Sequence, residues 1–302
     1  MSERPILEVE GLTIRYGRLT AVEDLSLEVP QRSVYALLGR NGSGKSSTVR
    51  CLLGQQRPTA GKTRLLGLDA WKNRRTIMTT VGAVPETPNI PAETTADRLE
   101  RFMAKVSTSW DHSKYDSRLD RFGIPRRTRF DRLSKGQKRQ LSLTAAISTS
   151  PELLILDDPT LGLDAVARRE LFEELVTELA DRGTTVFITT HDLAGVEGIA
   201  DRIGIIKDGH LLIDEELEIM KGRFRRLVFS PDQDSLRESV AADMQPVLSA
   251  TGGGVAEVVV GGFDEDALTR VRQADPPGQV TAEPMSLEEI FVALCGENGG
   301  GK

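Results

Sequence analysis

Between residues 6 and 29 apolar and polar side chains alternate on either side of a Tyr16-Gly17-Arg18 break, the period-two pattern of half-buried antiparallel strands, and Pro30 closes the stretch. Val34, Tyr35, Ala36, Leu37 and Leu38 then make a short apolar run, followed by a glycine-rich loop and a helical pattern through Leu53. The order there is strand, loop, helix. Residues 88–132 are rich in charge and helix formers and lack strand periodicity, which predicts a helical insertion. Apolar runs return at residues 153–156, 186–189 and 203–206 with helical patterns between them, the alternation expected of a parallel sheet. Asp208-Gly209 predicts a tight turn joining the last run to Leu211 and Leu212.

After Gly222 the pattern restarts, with strand-like residues 227–229 and 255–260 and helix-like residues 264–273. The expectation is an α/β nucleotide-binding domain over residues 1–222, its helical part at about 87–150, and a small α+β accessory domain over residues 223–302. The last helix is the clearest. Ser286 and Glu289 form a capping box, and Leu287, Ile290, Phe291 and Leu294 fall on one face, an apolar stripe equally consistent with a role in subunit pairing or docking and with the core helix of a small domain. The Gly299-Gly300-Gly301-Lys302 ending reads as a flexible tail.

Composition narrows the partners. A hydrophobic share of 39% and a charged share of 28% belong to a folding chain, and a net charge of −6 gives no basic footprint for nucleic acid. Cys51 and Cys295 lie far apart without CxxC spacing, which argues against a zinc site and fits a reducing cytoplasm. The first residues lack the apolar core of a secretion signal, and no apolar run approaches the roughly 18 residues of a membrane span. Any work at a membrane is therefore expected to involve other chains.

The chemistry concentrates in a few motifs. Gly39-Arg40-Asn41-Gly42-Ser43-Gly44-Lys45-Ser46 matches the GxxxxGK[ST] phosphate loop and lies between a predicted strand and helix, with Ser47 following. Gly42 and Gly44 let successive N–H groups of Asn41, Ser43 and their neighbours point inward at a helix N-terminus, Lys45 brings a charge to the outer phosphates, and Ser46 can ligate Mg²⁺. The apolar run 153–156 ends in Asp157-Asp158, the form of the second nucleotide motif, in which Asp157 holds Mg²⁺ through water. Taken alone, a strand ending in Asp is equally consistent with a turn or a helix cap.

Leu133-Ser134-Lys135-Gly136-Gln137 resembles the signature motif of the ATP-binding-cassette (ABC) ATPases, and the resemblance extends over about residues 6–222. It implies Tyr16 as the aromatic that stacks on adenine, Glu86 at the Gln-loop position beside the metal, Leu161-Gly162-Leu163-Asp164 as the D-loop and His191 as the switch histidine. It also implies a two-lobed cassette that closes head to tail with a second copy. Two ATP molecules are then sandwiched, with Ser134, Lys135, Gly136, Gln137 and Asp164 contributed to the opposite nucleotide and Asp158, His191 and Glu86 serving hydrolysis. Three positions depart from the commonest family pattern: Asp158 stands where Glu is usual, Glu86 where Gln is usual, and Lys135 where Gly is usual.

Val84-Pro85-Glu86 and the Met285-Ser286-Leu287-Glu288-Glu289-Ile290-Phe291 ending resemble bacterial exporter ATPases. The resemblance implies a Mg-dependent ATPase, homodimeric and peripheral on the cytoplasmic face of the membrane. It would dock beneath separate integral membrane permease subunits and pass closure to them through residues 86–101. A soluble ABC ATPase acting on nucleic acid or ribosomes is the alternative, disfavoured by the single cassette, the acidic balance and the lack of long heptads.

Overall fold

The computed structural model describes residues 4–229, 244–252, 255–274 and 280–296. The chain divides into two compact units, Met1–Asp214 and Glu215–Lys302. The division falls ahead of Gly222, so a helix at Leu217–Arg223 belongs to the second unit.

In the first unit, β1 (Leu7–Tyr16), β2 (Leu19–Val29), β4 (Ala60–Leu65) and β5 (Leu68–Asp69) form a four-stranded sheet of order β2-β1-β4-β5. Leu7 pairs with Val29 and Val9 with Leu27, which places the apolar half of each alternation on one face. That face shares a core with the helix α1 (Lys45–Leu52) and with Tyr35, Leu37, Ile155 and Phe187 of a second sheet.

The second sheet has six strands in the order β10 (His210–Glu216), β9 (Arg202–Lys207), β3 (Val34–Leu38), β8 (Thr185–Thr190), β7 (Leu153–Asp157), β6 (Val81–Val84). β3 lies parallel between β8 and β9, and β7 lies parallel between β6 and β8. Every residue of β3, β7 and β8 is buried, which is why these segments read as unbroken apolar runs rather than alternations. Their carboxyl ends share one edge, the edge at which parallel sheets hold ligands.

The Asp208-Gly209 turn has positive φ at both residues, 50° and 85°, as a two-residue hairpin connection requires. It braces the phosphate loop as well. The Gly209 N–H donates to Ser43 O at 3.1 Å, and the Glu23 N–H donates to Gly209 O at 2.9 Å.

The helical insertion consists of α3 (Ala96–Val106), α4 (His112–Arg121) and α5 (Lys135–Ile147), which follow the short α2 (Arg74–Ile77). It has its own core around Leu99, Tyr115, Leu119, Phe130 and Leu141, against which Trp110 packs. Trp71, outside this insertion, is 44% exposed. α4 is tied to α6 (Ala165–Arg182) by a buried charge network: Arg118 Nη2 lies 2.8 Å from Glu178 Oε1, Lys114 Nζ lies 2.5 Å from the same oxygen, and Arg118 also bonds Glu174. The short α7 (Leu193–Glu197) follows β8.

The second unit contains α8 (Leu217–Arg223), β11 (Arg225–Phe229), β12 (Pro246–Gly252), β13 (Val255–Val260), α9 (Glu265–Ala274), β14 (Thr281–Pro284) and α10 (Leu287–Cys295). Its four strands form an antiparallel sheet of order β12-β13-β11-β14, with Leu227, Phe229, Val258 and Val260 packed against Leu268 of α9. The capping box of α10 is formed, the Ser286 N–H donating to Glu289 Oε2 at 2.9 Å. That bond, with Arg226, holds the Glu289 carboxyl below the usual carboxylate range. Of the apolar stripe, Leu287 and Ile290 are buried within the chain, whereas Phe291 and Leu294 are half-buried. The Gly-rich ending, residues 299–302, lies outside the described residues.

Candidate functional site

β3 delivers the chain into the phosphate loop, and sterics explain its glycines. Gly44 has φ 111°, and a Cβ there would stand 2.6 Å from the Ala21 carbonyl oxygen. A Cβ on Gly39 would meet Ser43 Oγ at 2.4 Å. The loop thus presses against β2 on one side while its N–H groups lead into the N-terminus of α1. Lys45 lies across it, its Nζ donating to Gly39 O at 2.6 Å and Arg40 O at 3.1 Å. Burial lowers the Lys45 pKa, and the negative charges of Asp158, Asp157 and Glu86 pull it back up.

Asp157 ends β7 beside the loop. Its Oδ1 accepts from Thr189 Oγ1 at 2.6 Å and from Ser46 Oγ at 3.2 Å. Asp158 follows in the left-handed region at φ 47°. Its N–H donates to Thr189 O at 2.8 Å, its carbonyl accepts from Arg139 Nη1 at 2.9 Å, and its Oδ2 lies 2.9 Å from His191 Nδ1. Asp158 Oδ1 is buried and has no hydrogen-bond partner among the described residues, an acceptor left unsatisfied.

Tyr16, Asn41, Gly42, Gly44, Lys45, Ser46, Ser47, Glu86, Asp157 and Asp158 line one cleft of about 400 Å³. Tyr16 is 41% exposed, and its hydroxyl bonds Gln56 Oε1 at 2.5 Å and Ser47 Oγ at 3.3 Å, so the ring stands at the rim instead of filling the core. Gly39 and Ser43 shape the loop from behind. His191 reaches the cleft only through Asp158. Ser134, Lys135, Gly136, Gln137 and Asp164 do not line it. Ser134 and Gln137 instead close a capping box on α5, and Asp164 caps α6 by accepting from the Ala167 N–H at 2.9 Å. Arg139, Thr189 and Gln56 join the site without having been marked by any motif. Arg139 lies in the polar run at residues 135–140, which gives no sign of it.

The donor set fits a magnesium ion bound mainly through phosphate. Ser46 and Asp157 offer adjoining oxygens, Asp158 Oδ1 is unpaired nearby, and Glu86 borders the same cleft. Among the described residues no group of three or more His, Cys, Asp or Glu could hold a metal by itself. Few protein ligands and several from phosphate and water is the usual coordination of Mg²⁺. Charge agrees: three carboxylates outnumber the cations Lys45 and Arg139 beside them, and a polyphosphate would add more negative charge unless a metal cation accompanied it.

A parallel sheet whose strand ends carry a glycine-rich anion loop and paired acids defines a phosphate-loop nucleotide-binding protein. The sequence family described as ABC transporter matches residues 22–161. The bacitracin transport ATP-binding protein BcrA of Enterococcus faecalis is 36% identical over 223 residues, spanning 73% of this chain and 72% of that protein. The Nod factor export ATP-binding protein I of Burkholderia orbicola (strain AU 1054) is 31% identical over 318 residues, 98% of each chain. A solved ATP-binding subunit of an ABC transporter superposes with a TM-score of 0.65 at 27% identity, over 72% of this chain and 92% of that one. A dimeric bacterial ABC transporter cassette shares the fold, with a TM-score of 0.63 over 70% of this chain and 98% of that one at 21% identity. The chain belongs to the ABC transporter family, as an ATP-binding subunit.

Proposed function

We propose that this subunit hydrolyses Mg-ATP as a homodimer on the cytoplasmic face of a membrane and powers export through separate permease subunits. The observation that carries the reading is the division of the motifs. One cleft gathers Tyr16, the phosphate loop, Glu86, Asp157 and Asp158, whereas Ser134–Gln137 lies off it at a capped helix N-terminus and needs a second copy's nucleotide to act on.

In this reading the adenine stacks on Tyr16, and the loop N–H groups take the phosphates. Lys45 leaves the Gly39 and Arg40 carbonyls for the outer phosphates, and Ser46 and Asp157 hold the metal, with Glu86 beside it. Bound Mg²⁺ neutralises charge on the phosphate oxygens. Asp158 orients the attacking water through its free oxygen, and His191 holds the other oxygen. Ser134, Lys135, Gly136 and Gln137, with Asp164, close over the opposite nucleotide, so that ATP holds the dimer together. Among the described residues no helix is long and apolar enough to cross a membrane, and membrane work then falls to partners.

Export is supported by relatives named for bacitracin transport and Nod factor export, the second alignable along nearly the whole chain. The test is copurification. Tagged protein drawn from detergent-solubilised membranes is expected to bring an integral membrane subunit, and recovery of ribosomes or nucleic acid without one would overturn the transport role.

A further inference from the structure

Arg139 sits on the buried side of α5, only 8% exposed, and directs its two terminal nitrogens to main-chain oxygens. Nη1 donates to Asp158 O at 2.9 Å and Nη2 to Glu86 O at 2.8 Å. Those carbonyls lie just past the ends of neighbouring parallel strands, β7 and β6, whose pairing stops at Val84 and Leu156. Beyond that point no ladder bond sets the separation of the two segments. The guanidinium supplies the missing tie, and its planar fork of fixed donors suits two acceptors on different strands as a single ammonium would not.

The tie acts where the backbone is least ordinary. Asp158 is left-handed at φ 47°, pinned at its N–H by Thr189 O and at its carbonyl by Arg139. Held at both ends, the residue keeps Oδ2 on His191 and Oδ1 free. Arg139 is also five residues along α5 from Ser134, about 7.5 Å of helix rise, so the signature turn and the Asp158 carbonyl belong to one rigid element.

We propose that Arg139 is a positioning residue for hydrolysis: it clamps the Glu86 and Asp158 carbonyls and makes the aim of the Asp158 carboxylate follow the position of α5, the helix whose first turn meets the partner copy's nucleotide. The proposal rests on the function assigned above to Asp158. Engagement of the opposite ATP is thereby transmitted to this chain's own hydrolytic carboxylate through one side chain. Glu86, at the head of the segment leading into α3, is held by the same clamp.

The experiment compares Arg139→Gln and Arg139→Lys in the full chain, alone and combined with Asp158→Asn, by nucleotide affinity and by single-turnover release of labelled phosphate. Expected are an affinity within about twofold of the parent, turnover lowered by about tenfold or more, and a further change below about twofold in the Asp158→Asn background, because the two residues act as a unit. Lysine is expected not to restore turnover. If melting shows that the glutamine chain fails to fold, the lysine chain decides. Parental turnover in both Arg139 variants while Asp158→Asn is impaired would overturn this proposal alone. Equal losses in both backgrounds would overturn it in favour of a purely structural part. Full turnover in Asp158→Asn would remove the assignment of Asp158 and the clamp's purpose together.

Discussion

His191 Nδ1 stands 2.9 Å from Oδ2 of Asp158, joining the end of β8 to the end of β7 across the mouth of the cleft. If Asp158 orients the attacking water as proposed, His191 occupies one of its oxygens and that work falls to the other. Asp158→Asn keeps a residue type that tolerates a left-handed backbone and removes the acceptor charge, so turnover is expected to fall by about a hundredfold with the fold intact. Asp158→Glu gains about 1 Å of reach. It also places a longer side chain at φ 47°, and is expected to match the parent or exceed it modestly. Steady-state phosphate release from the three proteins reads this, and full activity in Asp158→Asn would place the base elsewhere.

Among the described residues Lys45 bonds only loop carbonyls, so its loss should harm ligand binding far more than folding. Lys45→Ala is expected to melt near the parent without nucleotide and to lose the rise in melting temperature that ATP gives the parent. An undiminished rise would mean that the phosphates lie somewhere else.

If Ser134–Gln137 serves the opposite nucleotide, two dead chains can complement one another. Lys45→Ala and Ser134→Arg homodimers should each be inactive. A one-to-one mixture should recover about a quarter of the parental sites, since half the dimers are mixed and each mixed dimer keeps one intact site of two. An inactive mixture that sizing chromatography shows to contain mixed dimers would refute the composite site.

The charge network between α4 and α6 is buried, with Glu174 and Glu178 each 2% exposed. Arg118→Met strips both carboxylates of their shared cation and is expected to cost about 3–5 kcal/mol, measurable by urea unfolding. A change below about 1 kcal/mol would show that Lys114 and Arg121 suffice as partners.

Cys51 lies inside α1, where burial pushes its thiol up to about 11. At pH 8 only about one molecule in a thousand would carry the thiolate, and the fraction grows with rising pH. Alkylation of Cys51 in the folded chain is expected to be far slower than in urea. Similar rates in both would show that α1 opens readily.

The site was legible in the chain wherever its chemistry is local. The loop glycines, the acids ending β7 and the Ser286–Glu289 cap each obey a spacing rule, and the structure places them on the elements those rules predict. β6 escaped because four residues including Gly82 and Ala83 carry almost no periodic signal, and β14 is as short. Arg139 escaped for a different reason: its partners are backbone oxygens, which every residue possesses, so no side-chain pattern announces them. The apolar stripe of α10 was visible. That Leu287 and Ile290 are covered within the chain was not, since a pattern of side chains does not say what covers it.

The strand that feeds the phosphate loop has a late-arriving pair of neighbours. β3 is flanked by β8 and β9, Val34 pairing with Val186 and Tyr35 with Arg202, and the loop is braced by Gly209. During synthesis the loop therefore leaves the ribosome long before the segments that hold it, and through that interval its glycines are free to take other shapes. Competence to grip ATP arrives only with the closing strands. A ribosome-bound chain whose residues from 185 onward are still inside the exit tunnel should be blind to nucleotide, and binding should first appear once residue 214 has emerged, which makes ATP a ligand that rewards finished chains.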